Sequence, residues 1–186
     1  MLHPDTVIRT VNDAIGVGVF ATRRIPRGTI TWARDPMDLT LPHPVVEQLH
    51  PLQRAIVDRY AWREEDHWIL CWDHARYVNH ACDANCIGID VQYEVALRDI
   101  EEGEQLTDDY RSLGIFEDPF DCACGSPLCS GRVTPSDTAT LLPRWTQQFR
   151  AALTQLHLVD QPLRRWVRDA ELPGVGEPRT VRRMAR

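Results

Sequence analysis

Three cysteines fall within eight residues, Cys122-Ala-Cys124-Gly-Ser-Pro-Leu-Cys129, and no other feature so narrows what the chain can fold into. Thiols this close, joined through Gly125 and Pro127, can wrap one metal ion or lie reduced in a loop; a single disulfide is the third option. Three thiolates make an incomplete tetrahedron. Structural zinc takes four soft or imidazole ligands, so a fourth must come from Cys71, Cys82, Cys86 or one of seven histidines. Met1-Leu-His-Pro-Asp shows no basic segment followed by an apolar run, and no stretch approaches the length of a membrane span. A reducing, cytoplasmic setting is therefore expected, with metal binding or free thiols preferred to an oxidised framework.

The 186 residues suit one compact domain with a helical appendage. With 43% hydrophobic and 26% charged residues, a packed core is within reach and disorder over most of the length is not expected. All 21 basic residues are Arg, a bias that a GC-rich genome explains. The net charge of −6 disfavours non-specific nucleic-acid binding and suits a basic partner.

Short β-rich runs alternate with turns through the first third: Thr6 to Val11, Gly18 to Ala21 and Thr29 to Ala33, with Pro26-Arg-Gly turning between the last two. Pro44 and Pro51 each open a helix-like stretch, the second placing Leu52, Ile56 and Tyr60 on one face. Trp68 to Trp72 reads as a buried strand, and Tyr93 to Arg98 alternates as another before the acidic turn Glu101-Glu-Gly-Glu. After Pro135, residues Leu142, Trp145, Phe149, Leu153 and Leu156 mark an amphipathic helix with Pro143 in its first turn. Asp160 is placed to cap a shorter helix through Val167, and the Gly-, Pro- and Arg-rich end from Leu172 reads as a loose basic tail.

Three further clusters carry polar groups that need a purpose. In Arg76-Tyr-Val-Asn-His-Ala-Cys-Asp-Ala-Asn-Cys86, Asn79 and His80 follow an apolar run and either bind a ligand or pin a turn. Ile15-Gly-Val-Gly-Val-Phe-Ala21 permits a turn or a close ligand approach, but lacks the spacing of a dinucleotide fingerprint. Glu104-Gln-Leu-Thr-Asp-Asp-Tyr110 sets a tyrosine beside two carboxylates, where it can stabilise developing charge or serve as a half-buried anchor.

Taken in order, Gly-x-Gly-Val-x-Ala, Arg-aromatic-x-Asn-His-x-Cys-x-x-Asn, Gly-Glu-x-Leu-Thr-x-Asp-Tyr and Cys-x-Cys-Gly-x-x-x-Cys-x-Gly resemble the SET-domain lysine methyltransferase family with its post-SET segment, from about Val7 to Arg132. The resemblance implies a mainly β (α+β) fold of small sheets with short helices and a pseudoknot-like core. The domains expected are a SET domain over residues 1–118, a zinc loop over 119–133, a helical segment over 134–171 and the tail over 172–186. It implies that Gly16, Val17 and Gly18 lie against S-adenosylmethionine, that Asn79 and His80 hold its polar parts with Tyr77 packing nearby, and that Tyr110 sits at the methyl-transfer centre. It also makes Cys82 the ligand that completes a structural zinc site with Cys122, Cys124 and Cys129, leaving Cys71 and Cys86 as free thiols.

Ala81 and Ala84 depart from the family's usual Ser and Pro, and Asp108 replaces an aromatic residue common two positions before the catalytic tyrosine. The activity implied is transfer of a methyl group to a lysine of a basic, histone-like or other protein, with no direct nucleic-acid binding. Between Glu94 and Asp121 ten acidic residues face two arginines, which is either a solvated face or a rim that attracts a basic segment by strand addition. The competing reading is a non-catalytic zinc-dependent peptide-binding module on the same scaffold. A zinc protein of unrelated chemistry is the third.

Overall fold

The computed structural model describes residues 1–89, 92–114, 116, 118–168 and 172. Among the described residues there are four small sheets, and the first positions the site. It runs β1 (Thr6–Asn12), β2 (Gly16–Ala21), β10 (Gln105–Asp108) and β7 (Asn79–His80) in that spatial order. β2 is antiparallel to both β1 and β10, whereas β10 and β7 are parallel, Thr107 opposite Asn79 and Asp108 opposite His80. Two-residue strands cannot hold their own register. Here Asn85, 1% exposed, supplies the tie: its amide donates to the Gln105 carbonyl (2.8 Å) and to Glu104 (3.0 Å), while its side-chain oxygen accepts the Thr107 N–H (2.9 Å). The Asn-His and Tyr segments are thus bound to each other through one amide.

A second sheet, β3 (Ile30–Ala33), β9 (Tyr93–Ala96) and β8 (Cys86–Ile87), forms the centre of the core. The expected alternation of the Tyr93 segment does not hold, because all four β9 residues are buried, Glu94 included. One β9 face meets the C-terminal helix and the other lines a cavity, so no face is left for solvent. The third sheet orders β4 (Leu39–Pro42), β6 (His67–Leu70) and β5 (Trp62–Glu64), with α1 (His43–Glu47) and α2 (Pro51–Tyr60) inserted between β4 and β5. In α2 the expected apolar face holds only at Tyr60, which is half-buried against Tyr77. Leu52 and Ile56 are exposed and Val57 is the buried residue, since this short helix docks on β6 by its opposite edge.

The ribbon β11 (Phe120–Asp121) and β12 (Arg132–Val133) closes the base of the cysteine loop. α4 (Thr138–Leu153) then packs Trp145, Ala152 and Leu153 onto Ile30, Tyr93 and Val95. It begins earlier than the periodicity suggests, so Pro143 lies inside the helix, where its missing N–H removes one helical bond. No helix forms from Asp160 to Val167; a short 3-10 turn at Arg164–Trp166 stands there instead. The Gln161 side chain explains this: it accepts the Ile30 N–H (2.8 Å) and donates to the carbonyls of Gly28 (2.9 Å) and Leu156 (3.0 Å), fixing the segment against the core. Gly28 itself is at φ 83°, and a Cβ there would stand 2.7 Å from the Ala152 carbonyl, so helix and turn meet backbone to backbone. Leu172 is buried in the core, and residues 173–186 of the expected tail lie outside the described residues.

Candidate active site

The Gly-x-Gly, Asn-His and Tyr segments converge because β2, β10 and β7 are neighbours. The Asn79 amide donates to the Val17 carbonyl (2.9 Å), which ties the first two segments directly. A Cβ on Gly18 would fall 2.5 Å from Gln105 Nε2 and 2.9 Å from Asn79 Nδ2, so any side chain there would displace both amides. Gly16 is at φ 87°, with Arg59 the nearest group to its open side. Tyr77 packs on the core cluster of Val19 and Ala21 and meets Tyr60 edge-on at 5.2 Å.

Tyr110 opens α3 (Tyr110–Leu113), which Asp109 caps by accepting the Arg111 N–H. Its hydroxyl donates to the Val78 carbonyl at 2.7 Å, so the proton is fixed and the oxygen lone pairs remain available as acceptors. Burial and the neighbouring carboxyls of Asp108 and Glu94 push its pKa up, which keeps the phenol neutral. Asp109 holds the buried Arg111 guanidinium in a two-pronged pair at 2.8 Å. Arg111 reaches on to Asp137 at 3.4 Å, joining the site to the start of α4.

The sulfurs of Cys82, Cys122, Cys124 and Cys129 all lie within 4.8 Å of one another. Cys82 and Cys122 are 3.8 Å apart, the edge of a tetrahedron with metal–sulfur bonds of about 2.3 Å. Backbone N–H groups of Ser130 and Gly131 point at Cys82 and Cys129 (3.5 and 3.4 Å), donors suited to thiolates. Cys71 and Cys86 are buried elsewhere, and their burial pushes both thiols up.

His80 stands between the two centres. Its Nδ1 accepts the Tyr110 backbone N–H (3.3 Å), which leaves Nε2 to carry the ring proton toward Cys82 sulfur at 3.4 Å. The ring also contacts those of Tyr110 (5.5 Å) and Phe120 (5.6 Å). A single imidazole therefore touches both the thiol cluster and the tyrosine.

Tyr110 also lines a cavity of about 210 Å3 bounded by Trp32, Tyr60, Trp62, Arg76, Phe116 and a carboxyl pair. Of the residues nominated from sequence, Tyr110 alone is in the described wall; the Gly-x-Gly and Asn-His groups cluster beside it. The Nε1 atoms of Trp32 and Trp62 and Nε of Arg76 are buried donors with no acceptor among the described residues. The pair is Glu94, 9% exposed, and Asp108, 1% exposed, whose carboxyls lie against each other; the Asp109 backbone N–H approaches Asp108 without full hydrogen-bond geometry. Burial holds Glu94 up to about 7. Burial and then the Glu94 charge hold Asp108 well above the carboxylate range. Sequence reasoning missed Glu94 and both tryptophans, since none belongs to a motif; a charge inside an apolar strand was the available signal.

The SET domain family model matches residues 16–111, more than half of the chain, and the chain belongs to the SET-domain family. Within it, the chain is similar to an H3 lysine-4 specific histone-lysine N-methyltransferase of Schizosaccharomyces pombe, 41% identical over 91 residues that cover 43% of this chain and 10% of that protein. It is also similar to histone-lysine N-methyltransferase set-2 of Caenorhabditis elegans, 30% identical over 90 residues, 42% of this chain and 6% of that one. The chain thus spans a tenth or less of the length of these relatives. Among solved structures, a chain of apo ctPRC2 with substitutions in Ezh2 superposes with a TM-score of 0.45 at 23% identity, over 56% of this chain and 15% of that one.

Proposed function

We propose that the chain is an S-adenosylmethionine-dependent protein-lysine N-methyltransferase. The observation that carries this is Tyr110, its hydroxyl proton anchored on Val78 and the residue itself lining a cavity beside the Gly-x-Gly and Asn-His cluster, in a chain of the SET family. The cofactor would supply an electrophilic methyl on a sulfonium. The residues fit it: Gly16, at φ 87°, leaves open backbone beside the tie between the Asn79 amide and the Val17 carbonyl. Val17, Gly18, Asn79 and His80 would hold the cofactor through the cluster they form, with Tyr77 supporting it. Tyr110 and the Val78 carbonyl present oriented oxygen dipoles to the nitrogen and methyl, and the aromatic wall excludes water.

The four thiols fit zinc in donor type, number and spacing. Cys82, Cys122, Cys124 and Cys129 fill a tetrahedron, so the ion would be structural and would fasten the loop to β7 through Cys82 and His80. Thiolate ligation suits a reducing cytoplasm. The substrate read from the net charge of −6 is a basic, lysine-containing protein; the segment 94–121 is not an acidic rim throughout, because Glu94, Asp108 and Asp109 are buried, the last paired with Arg111.

A radiolabelled transfer assay on lysine-rich proteins, run beside calorimetric titration with S-adenosylmethionine, tests the reading. Labelled lysine and saturable cofactor binding are expected. Peptide binding with neither result would instead establish the non-catalytic zinc module.

A further inference from the structure

Resting on the methyltransferase reading of the same cavity, we propose that Glu94 and Asp108 form a proton-accepting cation site that receives the acceptor's alkylammonium and takes the proton it must lose before attack. The two carboxyls come from β9 and β10, strands of different sheets that bring them to one wall. Each is at least nine-tenths buried, and beyond the proton it shares with Glu94 Asp108 meets only the Asp109 backbone N–H, which falls short of full hydrogen-bond geometry. Two buried acceptors side by side are stable only if they share a proton, and such a pair lacks donors. An ammonium brings three donors and a positive charge. The rings of Trp32, Tyr60, Trp62 and Phe116 provide an apolar sleeve for an alkyl stem and π faces for its charged head. Tyr110, whose hydroxyl oxygen keeps acceptor lone pairs, belongs to the same wall.

In the proton step one N–H bond of the ammonium breaks and one O–H bond forms on the pair. The electron pair stays on nitrogen as the attacking lone pair. A buried cation and anion become two neutral groups, which lowers the desolvation cost of holding them away from water. Above about pH 7 the pair carries one proton and accepts another; below it the pair is full and cannot. The groups facing it from other elements are the Tyr110 phenol, the Cys71 and Cys86 thiols and the amino terminus of Met1. Asp109 adjoins it in the chain, while Asp58, Arg59 and Arg76 complete the charged wall.

The test uses n-butylammonium as the probe and the whole chain as the protein. Calorimetry should show binding that weakens by about tenfold per unit as pH falls below about 7. Infrared difference spectra should show the carboxylate band falling and the carboxylic acid band rising as amine is added. Asp108→Asn keeps a donor beside Glu94 and removes one ionisable group; it and Glu94→Gln should each lose both signals and weaken binding at least about tenfold. No binding, an unchanged carboxylate band in the unmodified protein, or full binding by both variants overturns the proposal. Should a variant not fold, the spectrum of the unmodified protein decides alone. Methyl transfer whose single-turnover acid limb is unmoved in both variants defeats the carboxyl pair and leaves the methyltransferase reading intact. Amine-dependent protonation without methyl transfer to any protein supports the pair and defeats that reading.

Discussion

Removing the hydroxyl of Tyr110 while keeping its ring separates chemistry from packing. Tyr110→Phe should lower the single-turnover methyl-transfer rate by about 10²–10³ and leave cofactor affinity nearly unchanged, the pattern of an interaction made in the transition state. Full turnover in that variant would withdraw the catalytic role. Asn79→Ala releases the Val17 carbonyl and should weaken cofactor binding before it slows the chemical step, read from titrations beside the same rates. Glu94 makes a prediction about stability and pH. Its folded pKa is raised, so its contribution is complete below about pH 4.5 and is lost as pH rises through about 7. Glu94→Gln should therefore gain on the order of 3 kcal/mol at pH 8 relative to pH 5, compared with the unmodified chain in urea unfolding. Burial lowers the pKa of His3 and His80, which act in the opposite sense, but both proteins carry them and the difference cancels their effect. Equal pH slopes would show that Glu94 is not held neutral by the fold.

At the scale of elements, the cysteine loop hangs on a two-residue ribbon and on Cys82, outside the buried core. Chelation should abolish activity before it melts the sheets, and Cys129→Ser should lose zinc; coincident loss of circular dichroism and activity contradicts that order. Gln161 is the fastening of the C-terminal segment. Gln161→Ala leaves the buried Ile30 N–H without its acceptor and should cost about 1–3 kcal/mol in denaturant unfolding. These elements also show where sequence is legible. Short strands with turn glycines were readable because a tight turn demands fixed residue types, and the three thiols of residues 122–129 because their spacing puts them in one loop; Cys82 and the Asn-His pair were joined to them only through the family resemblance. The faces of α2 and β9 were not readable, because Leu52 and Glu94 are placed by what packs beside them and not by their own periodicity. Asp160 carries a helix-start signal that Gln161 overrides by bonding across the core.

Across the whole molecule, the 186 residues contain no lysine, so the purified chain incubated with labelled cofactor should carry no label on its internal peptides. Label there would mean that the acceptor is not lysine. The tie made by Asn85 also has a consequence in time. β7 is two residues long and pairs with Thr107 and Asp108, and Asn85 fastens the same segment to Glu104, Gln105 and Thr107, about twenty residues further along the chain. Local turns and hairpins such as β1–β2 form without waiting for so wide a loop to close. During refolding, then, the far-ultraviolet signal should recover ahead of enzymatic competence, and Asn85→Ala should lengthen that lag more than it alters the first phase.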